Sequence, residues 1–251
     1  MNSFRIIPKL DIKDSSVIKG INFEGMRKVG NASELAKKYF LEGADELVIN
    51  DVNASLFGRN TAIDLLRSSC KEIFIPVTLQ GGFRKLDDIK VAMRNGADKV
   101  SINTGAVYDK KFISKASKIF GNQAIVVSVD AKKMSNTKWE VLVDKGRERT
   151  GMDVVDWIKF IQKSGAGEIH LNSIDMDGTE KGFDINLINK VNKICKIPLI
   201  IGGGLGTLKH LEEISQIQFV DGLSISSCLH YKKLKINQIK KSLKNKLSIR
   251  I

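Results

Sequence analysis

Short runs rich in Val, Ile and Leu alternate along the chain with segments whose apolar residues recur at helical spacing. The runs fall near residues 5–11, 46–51, 73–79, 99–103, 124–130, 168–173, 198–202 and 220–226. Each is continuous rather than alternating, as expected of parallel strands covered on both faces. The amphipathic segments lie between them, at about 32–42, 60–70, 85–95, 109–119, 153–164, 183–194, 207–215 and 233–246. Eight such units predict an α/β fold, a (β/α)8 TIM barrel. A small hairpin is expected within residues 132–145, inserted after the fifth strand, where Thr137 to Val143 carries the strand-like residues.

An internal repeat separates the barrel from a doubly wound open sheet, which shows the same alternation. Gly43-Ala44-Asp45-Glu46-Leu47 recurs 122 positions later as Gly165-Ala166-Gly167-Glu168-Ile169. Ile75-Pro76-Val77 with Gly81-Gly82 recurs at the same offset as Ile197-Pro198-Leu199 with Gly203-Gly204. A period this long marks two similar halves rather than a solenoid. A single domain over 1–251 is expected, with half-repeats of about 1–120 and 121–251.

Composition narrows the class. At 251 residues and 42% hydrophobic content the chain can bury a substantial core. No apolar run approaches membrane-spanning length, and Met1 leads directly into a strand, so no membrane segment and a cytoplasmic location are expected. Cys70, Cys195 and Cys228 are too widely spaced for a zinc site and are expected to be reduced thiols in or near the core. The net charge of +13 is spread as lysine over the whole chain. With aromatic content of only 6%, nucleic acid is not the expected partner. The lysine-rich end, 232–246, reads as an amphipathic helix with a solvated basic face.

In a barrel the residues closing each strand form the active face. Here they are Asp11, Asp51, Gln80-Gly81-Gly82, Asn103-Thr104, Asp130, Ser173 to Thr179, Gly202-Gly203-Gly204 and Ser226-Ser227. One glycine pair alone is equally well explained by a tight turn. Two pairs at repeat-equivalent positions, each beside small polar residues, predict two phosphate cradles: Gly81 and Gly82 with Asn103 and Thr104, and Gly203 and Gly204 with Ser226 and Ser227. Asp11 and Asp130 would flank the middle of a ligand phosphorylated at both ends, one taking a proton and the other giving one. Structural carboxylates are the plainer alternative. His170, His210 and His230 lack metal-site spacing, and no cofactor is expected.

Several segments resemble the cyclase subunit of imidazole glycerol phosphate synthase, from Arg5 to about His230. They are Arg5-Ile6-Ile7-Pro8, Leu10-Asp11, Val17-Ile18-Lys19-Gly20, Gly96 to Thr104, Asp130-Ala131-Lys132, Ser173-Ile174-Asp175 and Asp177-Gly178-Thr179. The resemblance implies an enzyme of histidine biosynthesis that takes ammonia from a partner glutaminase bound at the N-terminal face. The ammonia would convert a phosphoribulosyl-formimino aminoimidazole carboxamide ribonucleotide to imidazole glycerol phosphate and an aminoimidazole carboxamide ribotide. It further implies Asp11 and Asp130 as acid and base, and a Lys19 loop closing over substrate. Asp177, Gly178 and Thr179 would bind substrate, and Arg5, Glu46, Lys99 and Glu168 would form an ammonia gate. A purely structural ring is the other account of those four charges. The sister isomerase of the pathway shares the barrel, the repeat and the aspartate pair, but the Lys19 loop and Asp98 to Thr104 fit the cyclase better.

The chain departs from the family pattern near the barrel's top and interior. Lys9 stands where the family has cysteine, Gln80 for glycine, Asn172 for threonine, Gly202 for serine, and Asn50 for an apolar residue. Lys9, two residues before Asp11, is expected to point into the barrel and narrow the ammonia path. These departures keep open an ammonia-using paralogue acting on another phosphorylated or nucleotide-linked sugar. A silent scaffold that only activates a glutaminase would have no need of the aspartate pair.

Overall fold

The computed structural model describes residues 3–52, 62–69 and 72–250. The strands are β1 (Arg5–Lys13), β2 (Ser16–Ile21), β3 (Glu24–Asn31), β4 (Leu47–Asp51), β5 (Val77–Gln80), β6 (Lys99–Ile102), β7 (Ile125–Ser135), β8 (Lys138–Val143), β9 (Glu148–Asp153), β10 (Glu168–Ser173), β11 (Leu199–Gly202) and β12 (Gly222–Ile225). The helices are α1 (Ala32–Leu41), α2 (Ala62–Ser69), α3 (Leu86–Arg94), α4 (Thr104–Tyr108), α5 (Phe112–Phe120), α6 (Val154–Lys163), α7 (Ile185–Asn192), α8 (His210–Ser215), α9 (Ser227–His230) and α10 (Ile236–Leu243). Strands β1, β4, β5, β6, β7, β10, β11 and β12 pair in parallel in that order, and β12 pairs with β1 to close the barrel. Closure removes both sheet edges, which an open sheet would leave to be covered.

The half-chain repeat is visible in single hydrogen bonds. The Leu47 amide donates to Pro76 and the Ile169 amide to Pro198, each at 2.9 Å. Asn31 caps α1 and Asp153 caps α6, each accepting two amide hydrogens of the first turn. Aspartates that precede strands hold the strand starts in register: Asp45 accepts from the Ile6 amide, Asp98 from Val77 and Asp221 from Leu199, at 2.8–2.9 Å.

Three expectations need correction. The third strand begins at Val77, not near residue 73, because Phe74 is 79% exposed and Pro76 has no amide hydrogen to give a neighbour. The insertion after the fifth strand is three-stranded, since β7 runs on to Ser135 and both β8 and β9 pair behind it. The last helix spans only Ile236–Leu243, and its basic face is not wholly solvated: Lys240 is buried and paired with Asp45 at 2.6 Å. Three further elements fall outside the expected ones. They are the β2–β3 hairpin and the one-turn helices α4 and α9.

Cys195 is half-buried, and Cys228 is buried, with its thiol pushed up to about 12, chiefly by burial. Cys70 lies outside the described residues. Among the described residues no helix is long and apolar enough to cross a membrane.

Candidate functional site

The C-terminal ends of the barrel strands enclose two neighbouring cavities. The first, about 780 Å³ including its open mouth, is lined by Asp11, Asn50, Gly81, Gly82, Asn103, Thr104 and Asp130. The second is lined by Lys19, Asn172, Asp177, Gly178, Gly203, Gly204, Ser226 and Ser227. Lys9 and Gln80 border both and stand between them. Thr179 sits outside the second cavity beside the β2–β3 hairpin, where its hydroxyl donates to the Met176 carbonyl.

Each cavity has a glycine turn that no side chain could share. Gly81 has φ of 112°, and a Cβ there would lie 2.4 Å from the Asp51 carbonyl oxygen. Gly204 has φ of 106°, and its Cβ would lie 1.8 Å from the Gly182 oxygen. Next to these turns α4 and α9 start at Thr104 and Ser227. Bare backbone amides beside a helix start suit an oxyanion such as phosphate.

The two aspartates are equally buried, but their titrations are shifted in opposite directions. Burial alone would raise Asp11, yet Lys9 and Lys19, with Nζ atoms 3.6 and 3.5 Å away, together with an Asn50 amide at 2.7 Å, bring it down to about 2. Burial raises Asp130 to about 6; Lys9 opposes the shift, and Asp177 and Asp11 add to it. Asn103 donates to Asp130 Oδ2 at 2.6 Å. Among the described residues Asp130 Oδ1, Asn103 Oδ1, Ser101 Oγ, Asn172 Nδ2 and Ser173 Oγ are buried without a hydrogen-bond partner. Such groups are costly unless a ligand or water satisfies them, so the barrel top is built to be filled.

The residues that depart from the family pattern form one belt. Asn50 neighbours Asp11 and Gln80 in register, and Asn172 neighbours Asp130 and Gly202. A Cβ at position 202 would lie 3.0 Å from Asn172 Oδ1, so the glycine makes room for the larger asparagine. Lys9 does point inward.

At the N-terminal face Arg5, Glu46, Lys99 and Glu168 close an alternating ring. Arg5 reaches Glu46 at 3.0 Å and Glu168 at 2.7 Å, while Lys99 reaches the same two at 2.9 and 3.2 Å. Behind it Thr78 donates to Glu46 at 2.6 Å and His170 contacts Glu168 at 2.9 Å. His230 is tied instead to Tyr39 and the Lys9 carbonyl, and burial lowers it to about 4. Among the described residues no group of three or more His, Cys, Asp or Glu is placed to hold a metal.

Sequence reasoning missed Lys145, Phe23 and Met26, which line the first cavity from the β8–β9 turn and the β2–β3 hairpin. No strand-end rule points to them, because they arrive from insertions.

Comparison with known proteins places these features in a family. Residues 5–235 match the model for the histidine biosynthesis protein family. A Legionella pneumophila protein named imidazole glycerol phosphate synthase subunit HisF is 48% identical over 83% of this chain and 99% of its own length. Proteins of the same name from two Clostridium botulinum strains, Okra and Kyoto, are 43% and 42% identical over 98% of both chains.

Proposed function

The chain belongs to the histidine biosynthesis protein family as a relative of the cyclase subunit of imidazole glycerol phosphate synthase, and from this we propose a reaction for its barrel mouth. Ammonia from a partner glutaminase attacks the phosphoribulosyl-formimino aminoimidazole carboxamide ribonucleotide, yielding imidazole glycerol phosphate and the aminoimidazole carboxamide ribotide, with the carbonyl oxygen leaving as water. The reading is carried by one observation: two buried carboxylates whose titrations are shifted in opposite directions line a cavity with one glycine turn, and a second glycine turn lines the cavity next to it.

Addition of ammonia to a carbonyl carbon requires a proton to leave nitrogen and another to reach oxygen. Later expulsion of the aminoimidazole nitrogen requires a proton there too. Asp11, kept ionised by Lys9 and Lys19, suits the accepting role. Asp130, raised towards neutrality, suits the donating one. The Gly81–Gly82 and Gly203–Gly204 cradles would hold the two terminal phosphates, with Asn103, Thr104, Ser226 and Ser227 beside them. Lys19, Asp177 and Gly178 would shape the lid side of the second cavity, with Thr179 outside it beside the β2–β3 hairpin. The Arg5–Glu46–Lys99–Glu168 ring would gate ammonia arriving from a glutaminase docked on the N-terminal face.

The test is turnover of the formimino ribonucleotide with ammonium salt at mildly alkaline pH, followed by absorbance, with Asp11→Asn and Asp130→Asn as controls. Activity that both substitutions abolish supports the proposal; none from the folded protein sinks it.

The position of Lys9 favours a second reading. Its ammonium group lies between both cavities and beside Asp11, where a different phosphorylated or nucleotide-linked sugar could be the ammonia acceptor. Turnover of the formimino ribonucleotide that appears only after Lys9→Cys would support that paralogous substrate.

A further inference from the structure

The ring and the upper site meet at one pair of side chains. Glu168 borders the depression on the N-terminal face with Arg5 and Lys99. Its Oε1 lies 2.9 Å from Nε2 of His170. His170, only 5% exposed, borders the second upper cavity with Ser128, Ile200 and Lys9. This carboxylate–imidazole contact thus joins a residue of the N-terminal depression to a residue of the upper cavity.

The contact dictates the tautomer. Burial favours the neutral Glu168 acid, but His170, Lys99 and Arg5 outweigh it and keep the group far below the usual carboxylate range. An ionised carboxylate only accepts hydrogen bonds, so the imidazole hydrogen must sit on Nε2. In the neutral ring Nδ1 is then left as an acceptor. Ser128 and Ile200 lie beside His170 in register, and Ser128 accepts from Gln80 at 3.4 Å.

We propose that His170 is an ammonia-binding residue, its Nδ1 receiving an N–H of the ammonia that has passed the ring and holding it at the floor of the second cavity. The inference rests on the ammonia-using function proposed above. No bond forms or breaks in this step: ammonia keeps its three hydrogens, and its lone pair remains available to the electrophilic carbon. A histidine here serves a neutral nucleophile that an apolar side chain would leave unheld.

The full-length chain labelled with 15N-histidine tests this by NMR, with ammonium chloride as the probe against equal sodium chloride at mildly alkaline pH. A saturable shift of the His170 Nδ1 resonance with ammonium alone is expected, assigned by its loss in His170→Leu. In steady-state kinetics His170→Leu should raise the KM for ammonia about tenfold, the worth of one hydrogen bond. The kcat at saturating ammonia and the KM for the ribonucleotide should stay within about twofold of wild type. His170→Gln, which retains an acceptor, should recover most of the ammonia KM and covers the case of a misfolded leucine variant. Equal shifts with both salts, or an unchanged ammonia KM, overturn the proposal. An ammonium-specific shift without ribonucleotide turnover would instead overturn the substrate assignment and leave His170 as an ammonia site.

Discussion

Lys19 and Asp177 form a buried ion pair at 2.6 Å across 158 residues of chain. The pair fastens the β2–β3 hairpin over the second cavity. Burial would lower the Lys19 ammonium, but Asp177 and Asp11 outweigh it and raise the group above its ordinary value. Backbone contacts reinforce the closure: the Asn22 amide donates to the Asp177 carbonyl at 2.8 Å, and Gly178 packs so near Gly20 that a Cβ would lie 2.3 Å from its oxygen. Asp177→Asn should therefore free the hairpin. Limited trypsin digestion is expected to cut at Lys19, Arg27 and Lys28 at least about tenfold faster than in wild type, the signature of a lowered local opening energy. Equal cleavage rates would show that the backbone contacts suffice.

Asp11→Asn and Asp130→Asn keep side-chain shape and remove acid–base capacity. Each is expected to lower kcat by about 10²–10⁴-fold, while the dissociation constant of the bis-phosphorylated substrate changes by less than about threefold. Stopped-flow binding beside steady-state turnover separates the two effects. Loss of binding equal to the loss of rate would assign the aspartates to holding substrate rather than to proton transfer.

The two carboxylates should leave opposite marks on stability against pH. Asp130 rises from 3.8 to about 6 on folding, so the native state binds more protons than the unfolded one in that window. Its contribution is complete below about pH 4 and is lost as pH climbs through about 6, by up to roughly 3 kcal/mol. Asp11 falls from 3.8 to about 2, so its contribution is present above about pH 4 and is lost as pH drops towards 2. Urea unfolding from pH 3 to 8 should show the Asp130 decline flattened in Asp130→Asn. Lys9→Met should move both titrations upward in carboxyl 13C NMR, because Lys9 lowers each.

Glycine substitutions test the cradles. Gly81→Ala and Gly204→Ala each place a methyl group into backbone at a positive φ. Each is expected to cost roughly 2 kcal/mol of stability and to reduce the rise in Tm expected of the wild type in millimolar inorganic phosphate, with the two together abolishing it. Phosphate protection that survives both changes would place the anion elsewhere.

Much of this architecture was legible in the chain. The apolar runs marked the eight barrel strands to within a few residues, and the half-chain offset reappears in the Leu47–Pro76 and Ile169–Pro198 hydrogen bonds. Asp11, Asp130 and both glycine turns do line the upper cavities, since strand ends follow directly from strand positions. The β2–β3 hairpin was hidden because β3, Glu24–Asn31, has no buried residue and so no apolar pattern. Helices α4 and α9 are too short for a helical period to show. The role of His170 was illegible for another reason: its meaning depends on Glu168 two residues away and on the cavity above, and both are facts of packing.

Both oxygens of Glu168 are engaged, Oε2 by Arg5 and Lys99 and Oε1 by His170 and, at 3.4 Å, by Lys99. A carboxylate is planar and rigid, so turning Oε2 away from Arg5 must also swing Oε1 out from under the imidazole. A displacement of Arg5 would thus be felt at the chamber above through rotation about one carbon–carbon bond.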